Sequence, residues 1–341
     1  MSKQKKTTIK DIANVLNITP SAVSKALNNH PRISQKTRDA VIQVAKNLNY
    51  QPNRLASALR KGKSNLVGVI IPRTNSIFFS NVVQHMEEVL NLSGYNVIMT
   101  QSNESYTKEC TNIEALLDTQ VDGIIASLAN ETTNFESYNK IINNGVPLIM
   151  FDRSDYEIDA DYIGIDDVRS SQLIVNHLIT QGCKRIAHIA GYSHTRIYKN
   201  RIKGYIDSLE QHQMEINEEL ILESNLSLND GREKMQQLLQ LEERPDAVYA
   251  AGDYAALGAL QILKEHNIKV PEEIAVVGFS NEPFTALTSP SITTINQHSE
   301  QIGKLAAKAF IQRMDEQNSD SNVTNIILEP ELIIRESSKR I

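Results

Sequence analysis

Nine short apolar runs between residues 66 and 295 restrict the fold of this chain more than any other feature. The segments between them have the periodicity of amphipathic helices. Strands that are apolar along almost their whole length are typical of parallel sheets with helices on both faces. Nine strands are too many for one compact sheet, so the pattern predicts two similar α/β lobes. The runs are residues 66–71, 96–100, 123–126, 148–151, 162–165, 186–190, 247–251, 275–279 and 292–295.

Charge is distributed unevenly along the 341 residues. The formal net charge is −6, but residues 1–63 contain 13 Lys and Arg against only Asp11 and Asp39, which gives that segment a charge of +11. The rest of the chain therefore carries −17. A basic segment joined to an acidic body is typical of a nucleic-acid-binding head, although a basic stretch by itself is more often a solvated surface.

The basic segment also carries the signals of short, capped helices. Thr8 and Asp11 form a capping-box pattern at the start of a first helix. After a short turn, Thr19-Pro20 predicts the start of a second helix, because the N–H that Pro lacks is not used in the first helical turn. Ser34 is the predicted N-cap of a third helix. The arrangement predicts a helix-turn-helix, whose second helix enters the major groove, although a purely structural three-helix bundle would show the same periodicity.

Four motifs in this region resemble those of the lactose-repressor/galactose-repressor (LacI/GalR) family of transcription regulators. They are TIKDIA from Thr8, VSKALN from Val23, SQKTR from Ser34 and LNYQPNRLA from Leu48. The resemblance extends over essentially the whole chain. It implies a small all-α helix-turn-helix head on an α/β body, whose two doubly wound parallel-sheet lobes are of the periplasmic-binding-protein-like type.

The resemblance also implies a division into domains. Residues 1–51 would form the DNA-binding head, 52–63 a hinge helix or linker, and 64–341 the effector-binding and dimerisation domain. Because the family's chain crosses between the lobes three times, we expect one lobe to contain residues 64–161 and 291–322. The other would contain residues 162–290 and 323–341.

The family pattern assigns DNA contacts to twelve positions of the head and hinge. Lys25 is our candidate for reading guanine, since Ser21 and Ala22 are too small for extensive hydrogen-bond readout of base edges. In the hinge, Leu59 beside Ala56 would wedge into the minor groove and kink the duplex; alternatively, these apolar side chains pack against the body. The twelve positions are Thr8, Thr19, Ser21, Ala22, Ser24, Lys25, Asn28, Ser34, Tyr50, Asn53, Ala56 and Leu59.

Polar side chains follow the apolar runs of the body, where ligands bind in open α/β sheets. Arg forks and Asp carboxylates in this position can hold the vicinal hydroxyls of a sugar, and a Phe can cover one face of its ring. Asp167 and Asp253 could instead be helix caps. Phe78 could be a core residue, and Arg153 could pair across the lobe boundary. Arg201 matches the family's ligand-contacting arginine. The predicted effector residues are Ser76, Phe78, Arg153, Asp167, Arg201, Asp253 and Ser280.

One position departs from the family pattern. The family usually has Gly-Phe-Asp or Gly-Tyr-Asp after the penultimate strand, and this chain has Gly278-Phe279-Ser280. A ligand-contacting carboxylate is lost there, and Glu282 is a candidate replacement. The effectors of other family members therefore cannot be transferred to this chain.

The sequence therefore predicts a sequence-specific transcription regulator, of the repressor type, controlled by a small-molecule effector such as a sugar or sugar derivative. Its expected partners are a pseudo-palindromic double-stranded operator and a second copy of the chain in a homodimer. Within the family, the alternative is a regulator whose co-repressor is a phosphorylated protein. Two further alternatives are a secreted or tethered sugar-binding protein with a basic extension and a sugar-modifying enzyme on the same lobes.

Several classes of function are not expected from this sequence. It shows no Walker or dinucleotide glycine motif, no catalytic pair and no cluster of metal ligands, so we expect neither enzyme activity nor a cofactor or metal. No run of eighteen apolar residues and no secretory signal are apparent, which argues against a membrane protein. The two cysteines, Cys110 and Cys183, are typical core residues of a reducing compartment. These features predict a cytoplasmic, nucleoid-associated protein.

Overall fold

A computed structural model of the chain describes residues 7–50, 63–315 and 323–340. The chain divides into two compact units, Met1–Ser64 and Asn65–Ile341. Most of the predicted hinge, residues 52–63, lies outside the described residues. No helix in the described ranges has the length and apolar character needed to cross a membrane.

The head contains three short helices, each begun by the residue that the sequence predicts. They are α1 (Ile9–Leu16), α2 (Pro20–Leu27) and α3 (Gln35–Asn47). Thr19 caps α2 by accepting a hydrogen bond from the Ala22 N–H, and Ser34 caps α3 by accepting one from the Thr37 N–H.

A small apolar core joins the three helices of the head. Ile12 and Ala13 of α1 pack with Val23 and Ala26 of α2 and with Val41 of α3. The left-handed conformation of Asn17 ends α1, and its side chain tolerates this conformation better than most. The tight turn that follows sets α2 against α1, so the head has the helix-turn-helix arrangement.

The first lobe of the body contains a parallel six-stranded sheet with the order β11-β5-β4-β3-β1-β2. One face packs against α4 and α11 through side chains such as Phe79 and Phe310, and the other against α5 and α6 through Ile113 and Tyr138. The strands are β1 (Leu66–Ile71), β2 (Asn96–Gln101), β3 (Gly123–Ala126), β4 (Leu148–Phe151), β5 (Asp161–Ile165) and β11 (Asn325–Leu328). The helices are α4 (Ile77–Leu92), α5 (Tyr106–Asp118), α6 (Glu136–Asn143) and α11 (Ser299–Asp315).

The second lobe contains a parallel four-stranded sheet with the order β7-β6-β8-β9. Two helices cover each face, with Val175 and Tyr205 in the core on one side and Met235 and Ala259 on the other. The strands are β6 (Ile186–Ala190), β7 (Ile221–Glu223), β8 (Ala247–Ala250) and β9 (Ala275–Val277). The helices are α7 (Asp167–Thr180), α8 (Arg196–Gln211), α9 (Leu228–Leu239) and α10 (Asp253–Glu265).

A short antiparallel pair, β10 (Thr294–Asn296) with β12 (Glu331–Ile333), lies beside these two sheets. One-turn 3-10 helices add to the loops of the body at Glu218–Leu220, Pro283–Ala286 and Glu336–Ser338.

The strand pairing moves the expected lobe boundaries by several residues. We expected residues 162–165 and 325–328 in the second lobe, but β5 pairs with β4 and β11 pairs with β5, so both lie in the first sheet. Thr293, expected in the first lobe, forms a bridge with Val277 of the second sheet. The boundaries expected from the family pattern cut off β5 and β11, whereas both strands complete their hydrogen bonds within the first sheet.

Candidate functional site

A cavity of about 330 Å³ opens at the carboxyl ends of the strands, between the two lobes of the body. Loops after β1, β4, β8 and β9 and the first turns of α8 supply its walls. Such a position and volume are typical of a small-molecule site. Six of the seven predicted effector residues line it: Ser76, Phe78, Arg153, Arg201, Asp253 and Ser280.

Asp167, the seventh predicted effector residue, does not line the cavity but lies behind Arg201. The Arg201 Nε donates to Asp167 Oδ1 at 2.8 Å, and its Nη1 donates to the Ala251 carbonyl at 3.0 Å. The guanidinium also lies 3.5 Å from the centroid of the Phe279 ring. Asp167 is not a cap either, because the side chain of Asp166 caps α7. Asp167 therefore fixes the direction in which Arg201 faces the cavity.

Arg153 connects the two lobes across the cavity. Its Nη1 donates to Glu104 Oε2 at 2.7 Å within the first lobe, and its Nη2 donates to the Tyr198 hydroxyl of the second lobe at 3.2 Å. Burial alone would raise the pKa of Glu104, but the charges of Arg153 and Arg73 lower it below its usual value. The Nε of Arg153 is buried and has no hydrogen-bond partner among the described residues, so it is an unused donor in the wall of the cavity.

Two buried aspartates that line the cavity have pKa values raised above the ordinary value. Burial raises the pKa of Asp152 to about 6, against the lowering effect of Arg153 and Arg201. Burial raises the pKa of Asp253 to about 7, and the neighbouring charge of Glu282 adds to this shift. Asp253 accepts hydrogen bonds from the Glu282 N–H at 2.8 Å and from the Thr294 hydroxyl at 2.7 Å. It therefore holds the β9 loop in place and is not the N-cap of α10, which is Gly252.

Ser280 lines the cavity without supplying the carboxylate of the family pattern. Its φ of 124° is uncommon for a residue other than glycine, and its hydroxyl accepts a hydrogen bond from Gln297 Nε2 at 2.8 Å. Two residues further on, Glu282 Oε1 accepts hydrogen bonds from the Ser76 hydroxyl at 3.1 Å and the Phe78 N–H at 3.4 Å. Glu282 thus brings a carboxylate into the cavity close to the position where the pattern loses one.

Tyr198 is a residue of the cavity that sequence reasoning missed. It precedes Arg201 by three residues in α8, so the two side chains share one helix face. A Cβ on Gly191 would lie 2.4 Å from the Tyr198 ring, so the glycine at the end of β6 leaves the space that this ring occupies. The Gly-x6-Tyr-x2-Arg spacing after the strand could have predicted that Tyr198 lies beside Arg201 in the cavity.

Some of the predicted DNA contacts of the head lie on α2, and the others lie at helix starts or elsewhere in the head. Ser21 and Lys25 are exposed on α2, with Ala22 half-buried beside them and Asn28 exposed at the end of the helix. Thr8, Thr19 and Ser34 are exposed at the helix starts, whereas Ser24 and Tyr50 are half-buried. Asn53, Ala56 and Leu59 lie outside the described residues.

Comparison with known proteins identifies the family. Residues 8–53 match the bacterial regulatory proteins of the lacI family, and residues 175–338 match a periplasmic binding protein-like domain. The HTH-type transcriptional regulator DegA of Bacillus subtilis is 30% identical over 334 residues, which cover 98% of this chain and 98% of that protein. The chain belongs to the LacI family.

Solved structures agree with this LacI-family assignment. The structure of the transcriptional regulator CelR in complex with cellobiose is 26% identical, with a TM-score of 0.74, and covers 97% of this chain and 100% of that chain. A Lac repressor dimer bound to operator and the anti-inducer ONPF is 24% identical and has the same fold, with a TM-score of 0.85 and coverage of 98% and 99%. The predicted family and fold class are confirmed.

As a LacI-family member, the chain is a DNA-binding transcription regulator with a ligand-binding body. Such regulators act in the cytoplasm, and this is where the chain is located. The family consists of regulators and not of enzymes, which favours this function over the sugar-binding and sugar-modifying alternatives. Within the described ranges, no group of three or more His, Cys, Asp or Glu is placed to hold a metal ion.

Proposed function

We propose that this LacI-family protein is a nucleoid-associated homodimeric repressor whose affinity for a pseudo-palindromic operator is set by a sugar or sugar derivative bound between its lobes. The observation that carries the proposal is the cavity to which both lobes contribute hydrogen-bonding side chains. A ligand held by both lobes stabilises one of their relative positions, which is the requirement for a ligand-driven switch.

The chemistry of the cavity suits a polyhydroxylated ring. Arg153 and Arg201 present planar donors, and Asp152 presents acceptor oxygens, so adjacent hydroxyls can be held in pairs. Phe78 and Tyr198 offer apolar ring surface for the face of a sugar. The similarity to a regulator solved with cellobiose supports a carbohydrate effector.

In the head, α2 is the helix that we assign to the major groove. Lys25 is exposed on it and would read guanine O6 and N7, whereas Ala22 suits contact with a thymine methyl. Seven further residues with hydroxyl or amide side chains would position the head on the phosphates and carry no sequence information of their own. These residues are Thr8, Thr19, Ser24, Asn28, Ser34, Tyr50 and Asn53.

The segment 52–61 would connect effector binding to DNA binding. A helix of ten residues is marginal in isolation, so we infer that it folds on DNA beside the hinge of the partner subunit, with Leu59 and Ala56 in the minor groove. Effector binding would change the distance between the two hinges and thereby their folding.

A binding experiment tests this proposal. Duplexes selected from random DNA by the full-length protein should share a pseudo-palindrome, and their affinity should fall steeply between about 50 and 200 mM salt, because bound phosphates release counterions. A thermal-shift screen against neutral sugars should then identify a ligand that raises the melting temperature and changes operator affinity. Binding without sequence preference, or an operator affinity that no small molecule changes, would contradict the proposal.

A further inference from the structure

The Glu282 side chain has one oxygen in use and one without a partner. Oε1 accepts the hydrogen bonds from Ser76 and Phe78, which begin α4 in the opposite lobe. Oε2 is buried and has no hydrogen-bond partner among the described residues, and only 4% of Glu282 is exposed. A buried carboxylate oxygen without a donor is costly, so a ligand in the cavity that donates to Oε2 would be stabilised.

The arginines around the cavity do not leave an excess of positive charge for an anion. Arg73 and Arg153 share Glu104, with salt bridges of 2.7 Å each. Arg201 is paired with Asp167 at 2.8 Å. The carboxylate of Asp152 also interacts electrostatically with Arg153 and Arg201. Three acidic groups, Glu104, Asp152 and Asp167, therefore balance the three arginines.

Two further carboxylates, those of Asp253 and Glu282, remain on the second-lobe side of the cavity. The cation described near them is Arg335, which donates to the Asn281 side chain, the Thr285 hydroxyl and the Ile292 carbonyl. One positive charge therefore faces two carboxyl groups at this end. Burial and the charge of Glu282 raise the pKa of Asp253, so a further negative charge at this end of the cavity is unfavourable.

We propose that Glu282 replaces the carboxylate lost at Ser280 and restricts the effector to a sugar that donates a hydrogen bond to Oε2. Because the Glu282 carboxylate is negatively charged, neutral sugars and amino sugars are favoured, and sugar acids and sugar phosphates are disfavoured. This inference rests on the proposed effector site and adds the class of sugar that the site accepts. An anionic ligand would place its negative charge beside the Glu282 carboxylate and next to Asp253, and such a like-charge contact is an effective way to reject it.

Isothermal titration of the full-length protein with matched sugars tests the inference. The probes are D-glucose, D-glucosamine, D-glucuronate and D-glucose 6-phosphate, the corresponding D-galactose series, and D-ribose with ribose 5-phosphate. We expect a neutral or amino sugar to bind at least about tenfold more tightly than the anions of its series. An anion that binds as tightly as its neutral parent, or a protein that binds no neutral or amino sugar, would overturn the inference.

The variant Glu282→Gln supplies the second measurement. The amide keeps the size of the side chain and removes its charge, so the discrimination against anions should fall to within about threefold. The control Glu265→Gln removes the same charge from an exposed residue of α10 that pairs with Arg232, and should keep the wild-type ratio. Unchanged discrimination in Glu282→Gln would overturn the role of Glu282. The proposed function would fail separately, if operator affinity responds to no small molecule at all.

Discussion

At the scale of single residues, Arg201 carries both a binding role and a structural one. It is 3% exposed, and its removal would leave the buried Asp167 without its cation. Breaking a buried pair by removing one partner costs about 3–5 kcal/mol, so Arg201→Ala should lower the melting temperature as well as ligand binding. A test of the binding role therefore needs a variant that keeps the charge.

Arg201→Lys is that variant. The ammonium group can still pair with Asp167, but it lacks the planar fork that would hold two hydroxyls. We expect this variant to remain folded, to bind selected operator DNA like the wild type, and to lose about tenfold or more in sugar affinity, as measured by titration calorimetry. Wild-type sugar affinity in Arg201→Lys would mean that Arg201 does not contact the effector.

Asp253 makes a testable contribution to the pH dependence of stability. Its pKa is about 7 in the folded protein, above the ordinary value of 3.8. The protonated form is therefore favoured by folding, and the stabilisation present below about pH 4 is lost as the pH rises through 7. The side chain at this position in the variant Asp253→Asn does not titrate. The free energy of unfolding of this variant should therefore increase relative to that of the wild type as the pH rises. The size of the increase is about 1.4 kcal/mol per unit of pKa shift.

Urea unfolding of both proteins between pH 4.5 and 8 measures this difference. Asp152, with its raised pKa, and His188, whose pKa burial lowers to about 4, titrate in both proteins and act in opposite directions. Taking the difference between the two proteins largely removes their effects. A difference that does not change with pH would show that Asp253 has an ordinary pKa.

The residues of the cavity could be predicted from sequence only in part. Positions directly after a strand, such as Ser76 and Arg153, line the cavity because parallel strands end at one edge. Asp167 occupies an equally favourable position but faces Arg201. The contact between Glu282 and Ser76 joins residues 206 positions apart and depends on how the lobes meet, which no local pattern encodes.

At the scale of secondary-structure elements, the sequence predicted the buried strands well and the peripheral ones poorly. Strands β3, β4 and β6 lie where their apolar runs were expected, since each is buried along its whole length. The strands β7, β11 and β12 were missed. They have only three or four residues and are at most half-buried, so they are too short and too exposed to stand out as apolar runs.

The predicted hinge, 52–63, is the element whose function is most sharply testable. If Leu59 wedges between bases, Leu59→Ala should weaken binding to the selected operator far more than binding to random DNA, because only the specific complex contains the kink. Competition titrations with both duplexes measure the two affinities. A uniform loss would contradict the wedge, as would no loss at all.

At the scale of the whole molecule, charge and compactness divide the chain at nearly the same place. The segment of residues 1–63 with a charge of +11 corresponds to the compact unit Met1–Ser64, and the acidic remainder to Asn65–Ile341. One unit suits the phosphate backbone of DNA, and the other contains the ligand cavity. We expect the DNA site and the ligand site to be coupled.

Fluorescence anisotropy of a labelled, selected operator, with and without a saturating sugar from the screen, measures this coupling directly. We predict that the sugar changes operator affinity by about 5- to 150-fold, and that operator DNA changes sugar affinity by the same factor, because linkage is reciprocal. A sugar that binds in the cavity, with its affinity reduced in Arg201→Lys, and yet leaves operator affinity unchanged would show that the two sites are not coupled.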